Sequence, residues 1–175
     1  IKSFTNLGIE PVPISVNISG VEFDRPDIVP NVAEILKRTR VNPGFIELEL
    51  TENVAIGNRE ACIERMHQLK ALGLRLAMDD FGTGFSSLSY LQDLPLDVLK
   101  IDQHFIRELE TGINSQAIVR AILALADGLH MQVIAEGVET ESQLTFLQDH
   151  QCKFFQGFLF SRPIPAAELV KLLLD

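Results

Sequence analysis

Seven positions in this sequence carry side chains that could act together on a charged substrate: Asn17, Glu49, the adjacent Asp79 and Asp80, Lys100, Glu136 and Gln156. Each closes a short β-rich run. Their amide and carboxylate oxygens are hard donors of the kind that Mg²⁺ and Mn²⁺ prefer. Consecutive aspartates allow one carboxylate to bridge two cations while its neighbour binds only one. A cation pair about 3.5–4 Å apart suits hydrolysis of a phosphodiester. Lys100 adds positive charge without taking a coordination position.

A single acidic residue at a strand end is most often a helix N-cap or a solvated loop residue. Asp79-Asp80 before Gly82 has the composition of a turn, and Lys100-Ile101-Asp102 that of a surface ion pair. Repetition of polar groups at six strand ends raises the set above these ordinary readings.

The elements that must position them alternate between short β-rich runs and longer stretches of helical period, the pattern of a parallel α/β fold. Strands are expected at 12–17, 45–50, 74–79, 97–101, 132–135 and 154–156. Asp27 can cap a helix running to Thr39, and Gly44 punctuates the return. Ala61, Ile63, Met66, Leu69 and Leu72 form a helical stripe that Gly73 ends. Residues 114–129 repeat the spacing with Ile118, Ile122, Leu125 and Leu129, and helices near 140–149 and 165–174 follow. The expected architecture is a (β/α)8 TIM-type barrel, incomplete here, with about six β/α units present and the first units preceding Ile1. A doubly wound open sheet is the alternative, but Gly82-Thr83-Gly84 lacks the third glycine of a dinucleotide fingerprint. In a barrel the strand C-termini converge on one mouth, so polar groups remote in sequence meet there.

Strand parity places Glu47 with Glu49 and Arg75 with Asp79, facing the barrel interior. A buried charge requires a partner, so Glu47 and Arg75 are expected to pair, with structural weight. His67, His104, His130 and His150 follow no metal-ligand spacing and read as surface or capping residues.

Composition narrows the function classes. With 175 residues and 46% hydrophobic side chains, the chain can bury a core as one domain. Formal net charge is −9 and the 15 Lys and Arg are scattered, which argues against binding duplex nucleic acid. Cys62 and Cys152 belong to no zinc or disulfide pattern, so a reduced cytoplasmic setting is the expectation. No apolar run reaches a membrane span, and any membrane link is expected to lie outside this chain.

Ser15-Val16-Asn17-Ile18-Ser19, Glu49-Leu50-Thr51-Glu52 and the run from Asp79-Asp80-Phe81-Gly82-Thr83-Gly84 to Leu88 resemble the EAL phosphodiesterase family. Leu99-Lys100-Ile101-Asp102, Ala135-Glu136-Gly137-Val138-Glu139-Thr140 and Gln156-Gly157-Phe158-Leu159-Phe160-Ser161-Arg162-Pro163 continue the resemblance through the chain. It implies a domain over 1–175 that forms the C-terminal three-quarters of the family fold. The Glu-Ala-Leu motif, whose glutamate is a ligand of the first metal in the family, is absent from this sequence. Ile1 is expected within or near the second helix of a longer domain.

The resemblance implies metal-dependent opening of cyclic di-GMP to linear pGpG in bacterial second-messenger signalling. Asn17, Glu49 and Asp79 resemble ligands of a first Mg²⁺ or Mn²⁺, and Asp79 and Asp80 ligands of a second. Lys100 resembles the residue that holds the attacking water, Glu136 a carboxylate reaching the second metal through water, and Gln156 an organiser of the site. Glu52 and Glu139 resemble residues that steady the loop after Asp80. That loop contains Phe81, Gly82, Thr83, Gly84, Phe85 and Ser86, and its ordering would couple metal binding to substrate and dimer contacts; Phe85 replaces a frequent tyrosine. The resemblance further implies homodimers, sensor or GGDEF domains in the parent protein, and bacterial cytoplasmic placement, often tethered to a membrane sensor. The competing readings are an inactive EAL-like receptor for cyclic di-GMP and an unrelated metal-dependent barrel.

Overall fold

The computed structural model of the chain describes residues 1, 4, 8–9, 11–55, 59–82, 91–110 and 112–173. Six strands, β1 (Ile14–Ile18), β2 (Ile46–Thr51), β3 (Arg75–Phe81), β4 (Val98–Ile101), β5 (Gln132–Glu136) and β6 (Phe154–Gln156), form one sheet in sequence order. Every pairing is parallel. Order without reversal is the topology of a β/α barrel, whereas a doubly wound sheet reverses at a switch point. All six expected strands are present, with bounds within two residues of those read from sequence.

The returning helices are α1 (Gly20–Phe23), α2 (Ile28–Thr39), α3 (Arg59–Ala71), α4 (Gln103–Arg107), α5 (Ile113–Gly128), α6 (Glu141–Asp149) and α7 (Ala166–Leu172). Side chains alternate along each strand, giving the sheet two unlike faces. Leu48, Leu50, Leu76, Met78, Leu99 and Ile101 join Cys62, Met66, Leu69, Ile106, Val119 and Leu147 in a buried cluster with the helices. Burying a leucine contributes about 1.5–3 kcal/mol, and Leu50, Leu76 and Leu99 are fully buried. That layer fixes the strands from one side.

The opposite face carries charged side chains at both ends of the strands, with Ala77 and Val98 between them. Arg75 Nη2 lies 3.7 Å from Glu47 Oε2, the pair that parity predicts. Ser15 Oγ donates to Glu47 Oε1 at 3.1 Å, and Arg75 Nη2 donates to Gln132 Oε1 at 2.5 Å. Residues from β1, β2, β3 and β5 thus satisfy one another low in the sheet.

Several local expectations need correction. In α3 the buried positions are Cys62, Met66 and Leu69, while Ala61 is exposed. In α5 the buried stripe is Ser115, Val119, Ile122 and Ala126, and Ile118 faces outward. Ser115 tolerates burial because its hydroxyl donates to Glu108 Oε2 at 2.7 Å, which moves the stripe off the purely apolar positions. Asp27 occupies the N-cap position of α2 without a capping bond, its carboxylate taking Arg25 instead. The short helices α1 and α4 were not anticipated. Ser19 and Glu22 form a capping box on α1, and Asp102 caps α4 by accepting from His104 N at 2.8 Å. His150 Nδ1 meets Phe146 O at 2.7 Å, a capping role at the end of α6.

Arg40 ends α2 in the left-handed conformation, with φ 53° and ψ 32°, where a β-carbon costs about 1 kcal/mol and glycine costs nothing comparable. Arg40→Gly should therefore raise stability by up to about 1 kcal/mol in urea unfolding. An unchanged or lower midpoint would show that the Arg40 side chain compensates for its backbone.

Candidate metal centre

β4 is buried along its whole length, and parity turns Lys100 toward the polar face. Its Nζ lies 2.6 Å from Glu136 Oε1, 2.7 Å from Glu49 Oε1 and 3.3 Å from Asp79 Oδ1. With its side chain 5% exposed, Lys100 is no surface ion pair. Burial works to lower its pKa, but hydrogen bonds to Glu136 and Glu49 outweigh that and hold it above the usual lysine value. The ammonium is fixed in its charged form.

One ammonium does not neutralise three carboxylates. Burial pushes the Glu136 carboxyl up; Lys100 opposes the shift, and the charges of Asp79 and Glu49 add to it. Asp80 is also raised, first by desolvation, then by the charge of Asp79 and a hydrogen bond with Asp102. Asp79 Oδ1 is buried without a hydrogen-bond partner, its 3.3 Å approach to Lys100 being too poorly aligned to make one. Oxygens of Asp79, Asp80 and Glu136 all lie within 4.8 Å of one another. Excess negative charge, hard oxygen donors and an orphaned carboxylate oxygen together fit a divalent cation.

A local break in alternation brings both aspartates to this rim. The β3–β4 register shifts between Met78 and Phe81, and Asp80 takes φ 54°. Such bulges re-aim side chains. Phe81 then returns to the buried core, and Asp79 and Asp80 contribute oxygens to the same cluster. Aspartate is among the few residues that visit the left-handed region at modest cost.

The remaining sequence-predicted residues stand around this nucleus. Asn17 is the register partner of Glu49 on β1, and Gln156 that of Glu136 on β6; both are exposed. They extend the arc by one strand at each end, while the direct contacts link β2, β3, β4 and β5. Glu52 Oε1 accepts the Gly82 N–H at 3.0 Å. The carboxylate of Glu139 lies 3.8 Å from Arg107 Nη2. Thr83, Gly84, Phe85 and Ser86 fall outside the described residues. Asp102, bonded to Asp80, was missed as a site residue, although it shares the strand parity of Lys100. A cavity of about 650 Å³ lined by Arg120, Met131, Gln132, Cys152 and Lys153 lies toward the other end of the sheet, away from the cluster.

A parallel sheet whose strands follow in sequence order, with acidic groups at their C-terminal ends, belongs to the TIM-barrel class, and comparison with known proteins narrows it. The sequence matches the model of the EAL domain over residues 1–163. The cyclic di-GMP phosphodiesterase NbdA of Pseudomonas aeruginosa is 41% identical over 173 residues, covering 99% of this chain and 22% of that protein. The chain therefore spans about a fifth of the length of this curated relative. The solved complex of the Pseudomonas aeruginosa MucR phosphodiesterase with c-di-GMP superimposes with a TM-score of 0.86 at 44% identity, covering 90% of this chain and 64% of that one. A manganese and cyclic-di-GMP complex of Klebsiella pneumoniae BlrP1 gives a TM-score of 0.81 at 32% identity, covering 91% and 41%. This chain belongs to the EAL domain family, and its six-stranded sheet is part of that family's barrel.

Removing the ammonium should expose the charge imbalance. Lys100→Met leaves buried carboxylates uncompensated and should lower stability by about 3 kcal/mol at neutral pH. The pH dependence has a definite sign. A carboxyl raised in the folded state, as Glu136 is, favours folding below its unfolded value and loses that contribution as pH rises through its folded value. Without Lys100 it rises further, so the deficit should shrink as pH falls through that elevated value. Urea unfolding of both chains across this range tests it; a deficit that stays constant with pH would contradict the charge-cluster account.

Proposed function

We propose that this chain carries the hydrolytic centre of a cyclic di-GMP phosphodiesterase and opens one phosphodiester bond to give linear pGpG. The observation that carries the reading is the Lys100 ammonium in contact with carboxylates from three other strands at the rim of an EAL-family sheet. The names of NbdA and of the MucR and BlrP1 complexes support the substrate.

Asn17, Glu49 and Asp79 would hold a first Mg²⁺ or Mn²⁺, and Asp79 with Asp80 a second, with Glu136 reaching it through water. When bound, the cations would acidify a water and neutralise phosphate oxygens, which lets an acidic rim accept an anionic substrate. Lys100 orients the residues around them. Two of its three N–H donors go to Glu136 and Glu49, leaving the third for the attacking water. Glu136, with its pKa raised, accepts the proton of that water more readily than a free glutamate would. As the water oxygen bonds to phosphorus, the bond to the leaving 3′-oxygen breaks; that oxygen takes a proton from solvent, and Glu136 returns to solvent the proton it removed from the attacking water. Gln156, beside Glu136 in the sheet, can hydrogen-bond the same water layer.

The wider reading includes homodimers contacting through the loop of Gly82, Thr83, Gly84, Phe85 and Ser86, with Glu52 and Glu139 supporting it; Phe81, expected in that loop, is instead the last residue of β3 and buried in the core. It also includes sensor or GGDEF partner domains and a bacterial cytoplasmic setting, any membrane tether lying elsewhere in a longer protein. The small share of NbdA that this chain spans supports partner domains. Among the described residues no helix is long and apolar enough to cross a membrane.

Formation of pGpG from cyclic di-GMP with Mg²⁺ or Mn²⁺ is the direct assay. Asp79→Asn and Lys100→Ala should each lower turnover by about a hundredfold or more. Near-normal hydrolysis by either variant would defeat the role assignments, and binding of cyclic di-GMP by the parent chain without turnover would favour the receptor reading.

A further inference from the structure

The turn that carries Asp80 ends on Gly82, and Gly82 is held from two sides. Its N–H is accepted by Glu52 Oε1 at 3.0 Å. A β-carbon built on it would lie 2.7 Å from Phe105 Cε2 and 3.2 Å from Phe105 Cζ, so the ring fills the space that any side chain at 82 would need. Gly82 adopts φ +99°, a region open to glycine and to little else. A glycine left to itself would move readily between conformations. Here a carboxylate and an aromatic ring select one.

Phe105 is buried and belongs to α4. That helix begins three residues after Lys100, with Asp102 capping it through His104 N at 2.8 Å. One short segment therefore delivers both the ammonium at the centre of the carboxylate cluster and the ring against the turn beside it. Asp80, two residues before Gly82, takes the left-handed φ of 54°, so its facing depends on how the turn after it is held.

We propose that Phe105 is a positioning residue of the metal-binding rim: its ring, together with the Glu52 carboxylate, clamps Gly82 and thereby fixes the direction of Asp79 and Asp80. The purpose of the clamp rests on the proposed metal-dependent activity, whereas the clamp itself belongs to the metal-free chain. Plain core packing by Phe105 would affect stability alone. Positioning would in addition affect the order of the turn and the affinity for cations.

The test compares the parent chain with Phe105→Leu and Ile106→Val. Ile106 is fully buried on the same helix, but the nearest neighbours of a Gly82 β-carbon are Phe105 and Ile122, so its variant controls for lost core packing. Two quantities are read: amide hydrogen exchange at Gly82 in metal-free protein, and Mn²⁺ affinity by electron paramagnetic resonance. Phe105→Leu should accelerate Gly82 exchange beyond any change in global stability and weaken Mn²⁺ binding by about tenfold, with Ile106→Val within about twofold of the parent. Equal behaviour of the two variants in both readouts would overturn the proposal. A third variant checks the contact itself: Gly82→Ala, which meets the ring, should weaken Mn²⁺ binding more in the parent than in the Phe105→Leu background, and strictly additive effects would contradict the clamp. Neither readout requires turnover, so a chain that binds Mn²⁺ yet makes no pGpG would refute the activity without touching this inference.

Discussion

A lysine ammonium removed from water is tolerable only when groups of opposite charge surround it. Lys100 bonds to Glu49 and Glu136 and lies beside the charge of Asp79, and the requirement reaches across the sheet. Its partners come from β2, β3 and β5, so strand order and register must place three acidic side chains around one point on β4. The leucine-rich helical side supplies the stiffness. With Leu48, Leu50, Leu76 and Leu99 seated in one core, the strands cannot slip by a residue without turning the carboxylates into it.

Two polar layers on the same face show how a structural ion pair differs from a functional cluster. In the lower layer Glu47 and Arg75 match one to one, and Ser15 and Gln132 take up further hydrogen bonds. In the upper layer one ammonium faces three carboxylates, with Asp80 and Asp102 close by. Asp79 Oδ1 is left without a hydrogen bond, and two carboxyls are raised from their ordinary values. The first layer is complete in itself. The second lacks positive charge that divalent cations would supply, and the EAL family to which the chain belongs includes structures solved with manganese.

Much of this was legible in the sequence because strands announce themselves by alternation and their polar ends recur. Parity alone pairs Glu47 with Arg75, while Glu49, Asp79 and Lys100 are drawn together by their places at the C-terminal ends of their strands. Helix phase was harder to read. Ser115 is buried because Glu108 accepts its hydroxyl proton, a pairing that a search for apolar stripes does not register. The bulge at Asp79-Asp80 left no periodic trace, since one residue in the left-handed conformation changes the facing of the next without changing composition. The five residues of α4 are too few to show a helical period, and with that helix went the significance of Asp102 and Phe105.

The central claim is that carboxylates remote in sequence share a pair of divalent cations at one rim of the sheet. Crystals of this chain soaked in Mn²⁺ and measured at the manganese absorption edge test it most directly. The account predicts two anomalous peaks about 3.5–4 Å apart, with Asp79 touching both, Asn17 and Glu49 on one, and Asp80 on the other. Manganese bound elsewhere, or no ordered peak within coordinating distance of Asp79, would contradict it.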